Sequence, residues 1–307
     1  MSTKPTNITL LGSGTIGLSF AALHLSKNLT CHVKILDTRP DLQDYVSKNL
    51  PGYLSDADHE SCLSRLSFAK DMQDAVHDAD IIQEQSPENT DFKVGIWPQI
   101  EKHAPPTALF WSSTSGIPAS VQNRDMKDKS RLVVVHLYNP PHIMPLLEVV
   151  RSPQTADEVV ERTLKYWRDL GRTPVVVQKE CTGFVANRLA FALLREASAL
   201  VSQGVVSVED LDNIVTASMG PRWTVAGPFK SYHAGGGEGG LSSFMNKIGE
   251  TIQGCWDASE EDVRKGDIRV GGKWQEDVCR QAEQAYGVVD TKERDRKTTA
   301  VLAAVKK

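Results

Sequence analysis

The sequence predicts an α/β protein in which a doubly wound, mainly parallel sheet is followed by an all-helical domain. Through the first half of its 307 residues, short apolar runs such as NITLLG, CHVKILD, ADIIQEQ and RLVVVHL alternate with helical patterns. Strands that alternate with helices are typical of a parallel sheet covered on both faces. After Gly183 the pattern becomes helical only, beginning with FVANRLAFALLREASALVSQG.

This change of pattern predicts two domains, residues 1–182 and 183–307. In the second domain, Ser207 is expected to cap a helix that begins with VEDLDNIV and has Asp210 at its third position. The glycine cluster GGGEGG, from Gly235 to Gly240, is too short for a linker. It predicts a tight turn that leads into a helix.

The composition favours a small-molecule partner in the cytoplasm. With 35 basic and 39 acidic residues the formal net charge is -4 at pH 7, so neither nucleic acid nor an anionic membrane is the expected partner. No apolar run approaches the roughly 20 residues that span a bilayer, and the start of the chain enters a strand pattern without an export signal. Five scattered cysteines without CxxC spacing fit a reducing compartment and predict no metal site.

The segment LLGSGTIG places Gly12, Gly14 and Gly17 in GxGxxG spacing between an apolar strand and the start of a helix. In that context the first glycine permits a tight turn, the second lets a pyrophosphate approach the backbone, and the third lets helix and strand pack closely. The N–H groups at the helix start then face the anion. The motif predicts a Rossmann-type dinucleotide site that includes Thr15 and Ile16.

Asp37 ends the second predicted strand, at the distance from the glycines where an acidic residue meets the adenosine ribose. Because a carboxylate there repels a 2′-phosphate, NAD is the predicted cofactor rather than NADP. Arg39, two residues further on, is the one nearby group that favours a phosphate. The alternative is that Asp37 is a solvated turn residue.

Two ionisable residues lie within apolar strand patterns in the segment VVVHLYNPPHIMPLLEVV. His136 ends one predicted strand and Glu148 is in the middle of the next, with the turn NPP between them. A buried ionisable group is costly unless it is paired. We therefore expect Glu148 to contact His136, fix its tautomer and make it a general base. The alternative is a structural histidine, bonded in the core.

Several motifs in succession, GSGTIG, PENTDFK, SSTSG, HLYNPP with LLEVV, and GFVANR, resemble the L-3-hydroxyacyl-CoA dehydrogenase superfamily over nearly the whole chain. The resemblance implies NAD-dependent oxidation of a 3-hydroxyl group, with His136 as the base and Glu148 as its partner. It also implies that Ser115 and Asn187 hold the reacting oxygen. The alternatives are that Ser115 only caps the following turn and that Asn187 only caps a helix.

The same resemblance implies further cofactor contacts. Asn139 is expected near the nicotinamide, Glu88 and Lys93 of PENTDFK are expected to line the cofactor cleft, and Ser115 is expected to touch the cofactor as well as the substrate.

One stretch departs from the acyl-CoA members of the superfamily, which carry a lysine-rich helical arm after the second strand. In this chain the stretch from Thr38 to Asp80 is shortened, and its only lysines are Lys48 and Lys70. A strongly negative CoA finds few partners there. This departure favours a small, free 3-hydroxy acid as the substrate.

The motifs MGPRWTVAGPF and SYHAGGGEGGLSSFM resemble the branch that contains L-carnitine dehydrogenases and, less closely, L-gulonate 3-dehydrogenases of the lambda-crystallin group. Trp223, Phe229, Tyr232 and Phe244 are suited to form a cage for a quaternary ammonium group, and Arg222 is suited to pair with a carboxylate. The alternative is that the aromatic residues belong to the core or an interface and that Arg222 is a surface or cofactor contact.

Together these features predict NAD-dependent oxidation of the 3-hydroxyl group of a small, carnitine-like acid. The alternatives among enzymes are a 3-hydroxyacyl-CoA dehydrogenase, an L-gulonate 3-dehydrogenase and a pathway-specific biosynthetic dehydrogenase. A crystallin-like structural or NAD-sensing protein is the alternative from another class, but such a protein needs none of Ser115, His136, Glu148 and Asn187. Because helical second domains of this superfamily usually dimerise, we also expect a homodimer.

Overall fold

The computed structural model describes residues 6–55 and 58–305 of the chain. The chain divides into two compact units, of which the first ends at Arg188 and the second begins at Leu189. The predicted domain boundary between residues 182 and 183 stays a prediction. The segment from Gly183 to Arg188 lies in the first unit, with the sheet.

Within the described residues, the strands of the first unit form one sheet of eight. They are β1 (Asn7–Leu11), β2 (His32–Leu36), β3 (Leu66–Phe68), β4 (Ile81–Glu84), β5 (Leu109–Ser112), β6 (Leu132–Leu137), β7 (Leu146–Arg151) and β8 (Thr173–Val177). Their order in the sheet is β3-β2-β1-β4-β5-β6-β7-β8. Neighbours are parallel except β6 and β7, which are antiparallel. The connection between these two is shorter than the dozen or so residues that a parallel crossover needs.

Helices cover both faces of the sheet. They are α1 (Thr15–Lys27), α2 (Leu42–Asn49), α3 (His59–Leu63), α4 (Met72–Val76), α5 (Thr90–His103), α6 (Ala119–Gln122) and α7 (Asp157–Asp169). Successive strand residues point to opposite faces, and accordingly Leu10 and Trp111 belong to one buried cluster while Leu11 and Phe110 belong to another. The predicted α/β fold with a Rossmann-type sheet is confirmed.

The second unit is helical throughout its described residues, as predicted. Helix α8 (Ala186–Ser202) leads into it and is followed by α9 (Val208–Ala217), α10 (Met219–Val225), α11 (Pro228–Gly235), α12 (Gly240–Lys265), α13 (Trp274–Tyr286) and α14 (Thr291–Val305). The Ser207 hydroxyl accepts a hydrogen bond from the Asp210 N–H at 3.1 Å, which confirms the predicted cap. The glycine cluster forms a 3₁₀ turn, Gly237–Gly239, directly before α12. None of the described helices is both long and apolar enough to cross a membrane.

Candidate active site

The glycine-rich turn between β1 and α1 leaves an open approach to the start of α1. Gly12 has a φ of +104°, and a Cβ on Gly17 would overlap the carbonyl oxygen of Gly12, so both positions require glycine. A Cβ on Gly14, in contrast, would meet no atom within 4 Å. The N–H groups of Thr15 and Ile16 lie at the free end of the helix. The space around Gly14 and the N–H donors at the helix start together suit the pyrophosphate of a dinucleotide.

Asp37 follows β2 and is hydrogen-bonded to the glycine-rich turn. Its Oδ2 accepts hydrogen bonds from the Ser13 N–H at 2.6 Å and the Ser13 hydroxyl at 2.7 Å, and its Oδ1 accepts one from the Arg39 N–H at 3.0 Å. Partial burial acts to raise the pKa of Asp37, but these hydrogen bonds outweigh it and lower the pKa. An ionised carboxylate at this point suits ribose hydroxyls and opposes a 2′-phosphate.

The Arg39 guanidinium, the group that favours a 2′-phosphate, is already engaged. Its Nε donates to Asp41 at 2.8 Å, and its guanidinium carbon lies 3.3 Å above the centre of the Tyr45 ring. Since a contact to a 2′-phosphate would have to compete with both partners, the geometry favours NAD.

Lys93 forms a buried ion pair and does not line a cleft. Its side chain and that of Glu84, at the end of β4, are both 0% exposed, and Nζ lies 2.8 Å from each oxygen of the Glu84 carboxylate. Nζ also donates to the Ser86 carbonyl at 3.4 Å. This placement corrects the expectation that Lys93 contacts the cofactor, because a buried ammonium group requires a buried counter-charge and Glu84 supplies it.

Glu88 holds the loop that carries Ser115. Its Oε1 accepts hydrogen bonds from the N–H groups of Ser115 at 3.1 Å and Gly116 at 3.0 Å, and from the hydroxyl of Thr114. Thr114 rather than Ser115 caps the following turn, because the Thr114 hydroxyl accepts the N–H of Ile117 at 3.0 Å. The exposed side chain of Ser115, three residues after the end of β5, therefore has no capping role.

His136 and Glu148 are directly opposite each other in the antiparallel pair β6 and β7. Nδ1 of His136 lies 2.7 Å from Oε2 of Glu148, and both side chains are buried. Burial acts to raise the pKa of Glu148, but hydrogen bonds from His136 and from the N–H groups of Ala186 and Val185 outweigh it and lower the pKa. An ionised carboxylate only accepts hydrogen bonds, so Nδ1 carries a proton, and in the neutral ring the lone pair that a base requires is then on Nε2.

Asn187 reaches the Ser115 loop from the first turn of α8. Its Nδ2 donates to the Ser115 carbonyl at 3.4 Å. Because α8 begins at Ala186, Asn187 lies inside the helix and does not cap it. The structure thus brings Ser115 together with Asn187, and His136 together with Glu148, within the first unit.

The remaining predicted contacts are exposed side chains, apart from Phe244, which is half-buried. Asn139 is exposed two residues after the end of β6. In the second unit, Arg222 and Trp223 lie on α10 and Phe229 and Tyr232 lie on α11, all of them exposed. The ring centroids of Tyr232 and Phe244 are 5.1 Å apart. An aromatic cage formed by these residues stays a prediction.

Two residues at the end of β4 that were not predicted as part of the site, Glu84 and Gln85, also contribute to it. The Gln85 side chain donates through Nε2 to the Gly12 carbonyl at 3.0 Å and so fixes the glycine-rich turn. Its Oε1 is among the described buried polar atoms that lack a hydrogen-bond partner. The available signal was the polar pair Glu84 and Gln85 directly at the end of an apolar strand pattern, where ligands of α/β sheets bind.

Two family models match the chain one after the other. The model of the 3-hydroxyacyl-CoA dehydrogenase NAD binding domain matches residues 7–181, and the model of the 3-hydroxyacyl-CoA dehydrogenase C-terminal domain matches residues 183–271. The chain belongs to the 3-hydroxyacyl-CoA dehydrogenase family. This family member is an NAD-dependent dehydrogenase that acts on CH–OH groups, which confirms the predicted cofactor.

Relatives of the family member include enzymes for two kinds of substrate. A 3-hydroxyacyl-CoA dehydrogenase of Gibberella moniliformis is 36% identical over 86% of this chain and 83% of its own length. An L-carnitine dehydrogenase of Streptomyces coelicolor is 33% identical over 98% of this chain and 96% of its own length. Among solved structures, an NAD+ dependent dismutase, 5-formyl-3-hydroxy-2-methylpyridine 4-carboxylic acid 5-dehydrogenase, has a TM-score of 0.76 with 27% identity and covers 98% of this chain and 99% of its own.

Proposed function

We propose that this dehydrogenase oxidises the 3-hydroxyl group of a small, free 3-hydroxy acid to the 3-keto compound, with carnitine-like acids favoured. The observation that carries the proposal is the buried pair of His136 and Glu148, with 2.7 Å between Nδ1 and Oε2. Oxidation of a secondary alcohol needs a base for the hydroxyl proton, an acceptor for the hydride and donors that steady the oxygen.

Each of these needs has a group in the proposed site. Nε2 of His136 takes the hydroxyl proton, and the Glu148 carboxylate stabilises the imidazolium that forms. The Ser115 hydroxyl and the Asn187 amide donate to the reacting oxygen. Bound NAD would supply the hydride acceptor, held by the glycine-rich turn and Asp37, with Glu88 and Asn139 as further contacts.

A free acid is favoured over a CoA thioester because the stretch after β2 offers few free cations. Arg39 is paired with Asp41, and Arg65 donates to the carbonyls of Leu25 at 2.6 Å and Asn28 at 2.9 Å. The two lysines of this stretch, Lys48 and Lys70, are exposed and so remain available to a phosphate. The phosphates of CoA need several such partners.

The names of the relatives support the same substrate class and also define the main alternative. L-carnitine and the pyridine 4-carboxylic acid named for the related structure are free acids. The relative from Gibberella moniliformis is named for 3-hydroxyacyl-CoA instead. A 3-hydroxyacyl-CoA dehydrogenase is therefore the second candidate function.

The proposal is tested by NADH formation at alkaline pH, where release of a proton favours oxidation. The panel contains L-carnitine, L-gulonate, 3-hydroxybutyrate and 3-hydroxybutyryl-CoA, each with NAD. Saturable turnover of a free acid supports the proposal, and turnover of the thioester alone overturns the substrate class but not the roles of His136 and Glu148. Absence of turnover with every compound overturns the proposed 3-hydroxy acid activity.

The aromatic cage requires its own variants. Trp223→Leu should raise KM for carnitine about tenfold, since a ring face attracts a quaternary ammonium group by roughly 0.5–2 kcal/mol, and should leave KM for NAD unchanged. Trp256→Leu, which removes another exposed indole of the second unit, is the matched control. Equal KM values for the two variants would exclude Trp223 from the cage.

We further propose a cytoplasmic homodimer. In α9, α10, α11, α13 and α14 no described residue is buried, and apolar side chains such as Ile214, Val225 and Val301 are exposed. A helical unit of this size normally covers its apolar faces, and a second copy is the proposed cover. Light scattering should give twice the chain mass of 33.8 kDa; a monomer at micromolar concentration would rule the dimer out.

The proposed cytoplasmic location is supported by the cysteines, which are free and so fit a reducing compartment.

A further inference from the structure

The backbone just before α8 has an unusual conformation next to the base. Gly183 and Phe184 are consecutive residues with positive φ, at +72° and +50°. The left-handed region is unfavourable for a residue with a large side chain, so packing must hold Phe184 there. Its side chain is fully buried, and its ring centroid lies 5.1 Å from that of His136.

This conformation aims two successive N–H groups at one carboxylate oxygen. Val185 N–H and Ala186 N–H donate to Oε1 of Glu148 at 2.9 Å and 3.0 Å. The first N–H groups of a helix have no partner inside it, and the first turn of α8 has no acidic residue of its own. Glu148, from β7, is therefore the acceptor for the start of this helix, where its charge is also favoured by the helix dipole.

We propose that the turn from Gly183 to Ala186 is a positioning element for the base. By holding Oε1 through two backbone N–H groups, it fixes the rotation of the Glu148 carboxylate so that Oε2 faces Nδ1 of His136. The same two bonds also connect Glu148 to the helix that carries Asn187. They therefore keep the distance between His136, the proton acceptor, and the Asn187 amide, which binds the reacting oxygen, constant. The proposal rests on the proposed roles of His136 and Asn187.

Ala186 is the donor that can be deleted, because proline there has no N–H and its ring carbon also displaces Oε1 of Glu148, which lies 3.0 Å from the backbone nitrogen. Ala186 is the first residue of α8, the position at which proline is best tolerated in a helix, and Ala186→Pro removes the N–H donor. Ala186→Ser keeps the donor and is the matched control. We expect Ala186→Pro to lower kcat about tenfold or more, because small displacements in a site cost rate, while KM for NAD and NAD affinity by calorimetry stay within twofold.

Ala186→Ser should retain most of the wild-type kcat. Wild-type kcat in Ala186→Pro, with folding verified by circular dichroism, would overturn the proposal. If Ala186→Pro does not fold, the wild-type protein and Glu148→Gln provide the second measurement, with nitrogen-15 labelling of valine and alanine. We expect the amide proton signals of Val185 and Ala186 to move upfield in Glu148→Gln, because bonds to a carboxylate are shorter than bonds to a neutral amide.

Unchanged amide signals in Glu148→Gln would equally overturn the proposal. This measurement uses no substrate. A failure of the turn is therefore distinguishable from a failure of the proposed function, which would appear as wild-type protein that oxidises none of the hydroxy acids.

Discussion

Lys93 of α5 and Glu84 of β4 form an ion pair in which neither side chain has any exposed surface. Removal of one member of such a pair leaves an uncompensated charge in the interior. Lys93→Met should therefore lower the free energy of unfolding by about 3–5 kcal/mol, measured by urea denaturation at pH 7.

The double variant Glu84→Gln with Lys93→Met is the control for this prediction. Because it removes both charges, it should recover much of the stability that Lys93→Met loses. A single variant that loses less than about 1 kcal/mol, as expected for a surface pair, would contradict the buried pair.

The role of His136 is tested by a variant that separates chemistry from cofactor binding. His136→Ala should reduce kcat by about 10²–10⁴-fold, the usual contribution of a general base. NAD affinity, measured by calorimetry, should change little because the glycine-rich turn is untouched. His77→Ala, at an exposed histidine of the same unit, is the control. Loss of NAD binding together with activity would indicate a structural histidine.

The choice of NAD over NADP depends on Asp37. Asp37→Ser should lower kcat/KM for NAD by about tenfold or more, since a hydrogen bond to a charged group contributes about 1.5–3 kcal/mol. The same change should raise kcat/KM for NADP, because the repulsion of the 2′-phosphate is removed. Asp44→Ser, at an exposed aspartate on α2, is the control, and an unchanged preference in Asp37→Ser would show that the carboxylate does not contact the ribose.

Features that depend on local sequence could be predicted. The glycine spacing predicts the turn because Gly17 has no room for a Cβ, a constraint set by residues only a few positions away. The pair of His136 and Glu148 was predictable because a short connection makes their strands neighbours and apolar runs exclude unpaired charges. Both inferences need only the order of elements along the chain.

Features that depend on long-range packing could not be predicted. Lys93 can be buried because Glu84, on another element, supplies its counter-charge. In the sequence, Lys93 is only a lysine within a helical pattern, and nothing nearby indicates that it is buried. Strand β3 has three residues, too few to show the alternation of apolar and polar residues that identifies a strand. The two N–H groups that hold Glu148 come from residues 37 and 38 positions further along the chain, and no pattern of side chains records a backbone donor.

Because His24 is buried, the stability of the folded protein should fall at acidic pH. His24 is fully buried in α1, with Nδ1 2.7 Å from the Tyr166 hydroxyl and Nε2 3.0 Å from Oε1 of Gln83. Burial lowers the pKa of His24 to about 4, although the bond to Gln83 opposes the shift and the charge of Arg172 adds to it. The folded protein therefore keeps His24 neutral at pH values where the unfolded chain is protonated.

The direction of this effect follows from proton uptake. Between pH 6.5 and about 4 the unfolded state binds the proton and the folded state does not, so stability falls as pH falls through this window and His24 has no effect above it. The full loss is about 3 kcal/mol. Urea denaturation across the window should show a smaller pH dependence in His24→Gln than in the wild type, and the difference isolates His24 from the other titrating groups. Parallel pH profiles for the two proteins would mean that His24 is protonated in the folded state.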